Sequence, residues 1–91
     1  MRVIFTEPAL ADVEDIREYL SAHYPFTMPS VERRIQVVLN HIASWPKSGR
    51  PVVERPGVRV VPLLRYPYRI FYRVTPDAVE ILHIHHSARN S

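Results

Sequence analysis

The sequence predicts an α+β domain: an antiparallel helical hairpin packed on one face of a mainly antiparallel sheet, in the order β-α-α-β-β-β. Three observations predict it. Two stretches in the first half repeat apolar residues at helical spacing and are separated by a short proline-containing turn. The second half alternates apolar and polar residues in short runs bounded by turn residues. A single β-branched run, Val3-Ile4-Phe5, precedes both and supplies a first strand.

Each element follows from local chemistry. Thr6 is a good helix N-cap, Pro8 is tolerated in a first turn, and Asp12, Glu14 and Asp15 suit a helix's positive end. Leu10, Val13, Ile16 and Leu20 then form an apolar stripe, so the first helix is expected from Glu7 to His23. Pro25 and Pro29 disfavour helix at the residues before them and set the turn. A second helix follows from Pro29 to Ser44, capped by Thr27 or Met28, with its stripe at Val31, Ile35, Val38, Leu39 and Ile42. The short turn makes the two helices antiparallel. Trp45-Pro46 ends the second, and residues 47–57 read as a proline-rich loop. Strands are expected at Val58 to Leu64, Pro67 to Val74 and Val79 to His86, with Thr75-Pro76-Asp77-Ala78 as the last turn. Pro62 cannot donate to a ladder, so it marks an edge or a bulge.

The chain of 91 residues is expected to form one domain, residues 1–91. It has no cysteine, which excludes a disulfide scaffold and a thiolate metal site and fits a cytoplasmic location. No apolar run approaches the roughly 18–20 residues that span a bilayer, so no membrane partner is expected. The net charge of +3 is unevenly placed. Residues 1–44 carry four Lys/Arg against six Asp/Glu, and residues 45–91 carry eight against three. Seven of those eight are arginine, whose rigid fork suits phosphate and carboxylate. The basic half therefore points to a polyanionic partner, or else to a solvated basic face.

The closing hairpin holds the candidate functional residues. Alternation places Tyr68, Ile70, Tyr72 and Val74 on one face, and Arg69, Phe71 and Arg73 on the other. A turn at Pro76-Asp77 sets Arg73 opposite Glu80, Phe71 opposite Leu82 and Arg69 opposite Ile84. In that register Val79, Ile81, His83 and His85 join the tyrosine face under the helices. Glu80, Leu82, Ile84 and His86 join the arginine face. Arginine stabilises charge on a pentavalent phosphate and histidine transfers protons near neutral pH. Arg69 and His86 are thus a candidate catalytic pair for RNA cleavage, although cross-strand Arg–Glu pairs usually just decorate a sheet and histidines near a C-terminus often have no special role. His83 and His85 share a face, but a zinc site needs three or four ligands and no other Cys or His cluster supplies them, so no metal site and no cofactor is expected.

Four segments resemble the RelE/ParE family of toxins from bacterial type II toxin–antitoxin modules, and together they cover nearly the whole chain. TEPALADVEDIREYL is similar to the family's first helix, and GRPVVERPGVRVVPL to its loop before the central strands. YPYRIFYRV and VEILHIHHSAR are similar to its "YRIxYRV" and "IxxIxHxAR" strands. The resemblance implies a growth-inhibiting protein neutralised by a cognate antitoxin that folds as it binds, with operator DNA reached only through the antitoxin. RelE-like members cleave mRNA on the ribosome without a metal, whereas ParE-like members poison DNA gyrase. Arg69 matches the arginine that the nucleases use at the transition state. His86 matches a frequent family histidine, and Arg89 a basic residue common near the end. Arg69, Arg73, His86 and Arg89 are accordingly expected to bind the target or the antitoxin, with Arg69 and His86 catalytic only in a nuclease. The chain departs from the nucleases in having Lys47 alone in its loop. Its HHSAR ending looks closer to the ParE and plasmid-stabilisation branch. Gyrase poisoning is the leading expectation, with ribosome-dependent mRNA cleavage, or an antitoxin-binding remnant without toxicity, as alternatives.

Overall fold

The computed structural model describes residues 1–88. Along them run β1 (Arg2–Phe5), α1 (Glu7–His23), α2 (Met28–Ser44), β2 (Arg50–Pro51), β3 (Val58–Pro62), β4 (Tyr68–Val74) and β5 (Ala78–His86). These strands form one sheet in the order β1-β5-β4-β3-β2. β1 runs parallel to β5, and the other neighbours are antiparallel. The predicted α+β architecture is the observed one, with one addition: Arg50-Pro51 of the proline-rich loop pairs with Val60 and Arg59 as a short edge strand. Pro62 lies at the end of β3, beyond the reach of β2, so its missing N–H leaves no ladder position empty.

The helices pair antiparallel, as Arg17 bonding Glu32 at 2.9 Å and Ser21 bonding Met28 at 3.1 Å show. Val31, Val38, Leu39 and Ile42 of α2 are buried as their spacing requires. On α1 the inward face is Ala9, Val13, Ile16 and Leu20, whereas Leu10 is 56% exposed. The correction has a local cause. Thr6 is tied to β5 by its N–H and its hydroxyl, both reaching the Ile81 carbonyl at 3.1 and 2.8 Å. The same hydroxyl oxygen accepts the Ala9 N–H at 3.4 Å. The helix therefore starts against the sheet, and only a side chain as small as Ala9 fits there. Opposite the helices, the core is completed by Tyr68, Ile70, Tyr72, Val79, Ile81 and Ile84.

Tyr72 is fully buried, and its hydroxyl donates to the Pro46 carbonyl and accepts the Gly49 N–H, both at 2.8 Å. It thereby anchors the loop that leads into β2. A Cβ on Gly49 would lie 2.5 Å from that hydroxyl, so this close approach requires glycine.

Candidate functional site

The β4–β5 hairpin starts in the predicted register. Thr75 closes the turn through backbone and side-chain bonds to Ala78. Arg73 then stands opposite Glu80 and Tyr72 opposite Ile81. At the next step the register shifts: Phe71 faces His83, leaving Leu82 as the extra residue of a β-bulge. One inserted residue reverses the alternation of everything after it. Ile84 moves to the core face opposite Ile70, and His86 stands opposite Tyr68. His83 and His85 move to the arginine face, opposite Phe71 and Arg69. The expected faces of His83, Ile84, His85 and His86 are therefore all exchanged. Arg69 and His86 do not share a surface. His86 packs edge-on against Tyr68 with ring centroids 5.3 Å apart, and its Nδ1 accepts the Ala88 N–H at 3.1 Å.

The arginine face is built in rows across the sheet. Arg50, Val60, Phe71 and His83 form one row, Arg69 and His85 the next, and Val58, Arg73 and Glu80 the one nearer the turn. Arg73 is engaged in its own row, donating to a single Glu80 oxygen through Nη2 at 2.8 Å and Nε at 3.3 Å. Arg69 is not. Its guanidinium carbon lies 5.6 Å from the Phe71 ring centroid, and its buried Nε has no acceptor among the described residues. A cation held over an aromatic ring keeps its charge, and a guanidinium so placed can pair with an anion through its remaining donors. Arg89 lies outside the described residues.

Beside Arg69, the histidines meet a carboxylate from another element. β1 stops pairing at Ile81, which leaves the following part of β5 as a free edge. Asp12 of α1 covers that edge: its Oδ2 accepts the Ile84 N–H at 2.9 Å and lies 3.2 Å from His83 Nδ1. The His83 and His85 rings are 4.7 Å apart, and His85 also contacts Phe71 at 5.4 Å. Partial burial holds His85 below the ordinary histidine value. The charges of His83, Arg69 and Arg55 push the same way, and Asp12 opposes them. A cleft of about 380 Å³ opens beside this cluster, lined by Asp12, Asp15, Tyr19, Tyr68, His85 and His86 among others.

Sequence reasoning missed Asp12 and Arg55. Asp12 carries a signal only for helix position, because acidic residues are ordinary in a first turn and a half. Arg55 sits in a loop without periodicity.

Comparison with known proteins places this geometry. The model of the ParE toxin of the type II toxin–antitoxin system parDE matches residues 3–91. The toxin RelE2 of Caulobacter vibrioides is 33% identical over 89 residues, spanning 97% of each chain. A protein named Y4kP from Sinorhizobium fredii is 34% identical over 86 residues, covering 94% of this chain and 88% of its own. Among solved structures, a chain of the chromosomal ParDE system of P. aeruginosa superposes with a TM-score of 0.80 at 27% identity, covering 94% of this chain and 95% of its own. The bulged hairpin with Arg69 on its open face thus belongs to a toxin of the RelE/ParE family, from the ParE side of type II toxin–antitoxin systems.

Proposed function

We propose that the chain arrests bacterial growth by binding DNA gyrase through the arginine face, and that a cognate antitoxin neutralises it by covering that face. The observation that carries the proposal is Arg69, part-buried, held over Phe71 and without a carboxylate partner among the described residues. An acidic segment of a partner protein can pair with the part-buried guanidinium. Arg73 and Arg50 extend the same basic surface, and Arg89 follows directly after the described residues. His86 is assigned to packing against Tyr68 rather than to the partner. Gyrase is favoured as the target because the ParE model matches residues 3–91.

A second reading draws on a specific contact. Arg69 pairs across the strands with His85, a histidine whose protonation burial disfavours, which is the pairing of a phosphate-binding cation with a proton acceptor. That arrangement fits a RelE-like ribonuclease with His85 in the place expected for His86.

Inducible expression separates the two. Under the gyrase proposal, growth stops with a DNA-damage response, and the purified chain inhibits supercoiling by gyrase in vitro. Arg69→Ala should reduce that inhibition by more than about tenfold, the size of a lost charge-assisted hydrogen bond of about 1.5–3 kcal/mol. Rapid mRNA cleavage on ribosomes, lost in His85→Ala and without a DNA-damage response, would replace gyrase binding with the nuclease. Normal growth with full expression would reject both.

A further inference from the structure

We propose that Asp12, His83 and His85 form a binding site for a divalent transition metal, with zinc as the ion of choice, that clamps α1 to the free edge of β5. The sequence showed only an HxH pair without a third ligand. The fold supplies the third from 71 positions away in the chain, and one ligand atom from each residue lies within 4.8 Å of the others.

The geometry is close to what zinc needs. Zinc binds imidazole nitrogen and carboxylate oxygen at about 2.0–2.2 Å, which puts tetrahedral ligand atoms about 3.3–3.6 Å apart. The Asp12 to His83 separation of 3.2 Å already meets this, so His85 alone has to swing inward by about an ångström. Two imidazoles and a carboxylate are a donor set suited to zinc rather than to calcium or magnesium, which take oxygen ligands. The supporting contact is also present. The Ile84 N–H bonds Asp12 Oδ2 and fixes the carboxylate, the role that outer partners play around metal ligands. All three residues are only part-buried, so an ion and its remaining water have access from solvent. Arg69 and Arg55 oppose a cation here, and the Asp12 carboxylate offsets them.

The bulge at Leu82 creates the site, because it turns both histidines outward at the point where β1 ends and α1 crosses. A bound ion would add a further tie between α1 and the free edge of β5, beyond the Asp12 carboxylate at Ile84 and the Thr6 cap at Ile81 and Leu82.

Zinc alone, titrated by calorimetry into the full-length chain in chelator-treated buffer, tests the site. One equivalent is expected to bind and to raise the thermal unfolding midpoint. His83→Gln and His85→Gln should each weaken binding by more than about tenfold, since loss of an outer-shell partner alone costs about that much. Asp12→Asn should do the same while keeping an oxygen for the Ile84 N–H. His86→Gln should bind as the parent does. Absence of saturable zinc binding would overturn the proposal. So would binding that survives both His83→Gln and His85→Gln, or binding lost in His86→Gln. Unfolding midpoints in EDTA that match the parent's confirm that weakened binding in a variant reflects a lost ligand.

Discussion

The two faces of the β4–β5 hairpin are made by alternate residues of the same strands, yet they obey different rules. On the helix side, Ile70, Tyr72, Val79 and Ile81 are fully excluded from solvent, and the Tyr72 hydroxyl has both a donor and an acceptor. On the open side, Arg69, Phe71, His83 and His85 are half-buried, and the Arg69 Nε has no acceptor among the described residues. The first face is finished by the chain itself. The second has one unmet buried donor among the described residues and a cluster of titratable groups, the features that the proposed partner site rests on. The bulge at Leu82 sorts residues between the two faces, so one inserted residue decides which histidines lie on the helix side and which on the open side.

Substituting neighbours on opposite faces tests how distinct they are. Ile70→Ala removes a fully buried side chain from the centre of the core and should cost about 2–5 kcal/mol in urea unfolding. Phe71→Ala, one residue on, removes a larger side chain from the half-buried face and should cost less. It should also weaken partner binding by releasing Arg69 from its aromatic support. Equal losses of stability would mean that the open face is a second core rather than a working surface.

A smaller effect is expected from Tyr72→Phe. It keeps the ring but strands the buried Gly49 N–H, and the cost should be about 1–3 kcal/mol. Because the change lies on the helix side, gyrase inhibition per folded molecule should stay at the parent level. A Tyr72→Phe chain that unfolds like the parent would show that the loop into β2 is held by other contacts.

Much of this division was legible in the residues. Glu7–His23 was readable because capping and periodicity agree there, and the tyrosine face of β4 because its alternation is unbroken. The β5 face was not readable past Ile81. A bulge leaves no compositional mark, since VEILHIHH fits two registers until the partner strand selects one. Burial makes the selection. The bulged register puts Ile84 at 3% exposure, whereas a regular ladder would have buried His83 and His85 in its place. Leu10 failed for a related reason, because the helix stripe was read without the Thr6 anchor that rotates it. Asp12 was beyond reach of sequence, because its role exists only where β1 ends and α1 passes the edge of β5.

The smallest expected effect concerns the coupling between Arg69 and His85 across the strands. His85 sits below its ordinary value of 6.5 in the folded chain, mainly through burial and partly through the positive charge of its neighbours. Between that value and the folded one, the unfolded chain binds more protons, so the His85 contribution to stability must fall as pH drops through this window. Well above 6.5 the histidine is neutral in both states and contributes no slope. Urea unfolding in EDTA should therefore show a steeper loss towards acid for the parent than for His85→Leu. Arg69→Ala removes one of the charges that disfavour protonation, so the His85 ring should titrate at a higher pH in that variant, read from its proton resonances. The rise should be small, because burial leads and Arg55 and His83 remain. An unchanged His85 titration would mean that the Arg69 guanidinium points away from the histidines in solution, and would leave the open face with two separate sites instead of one.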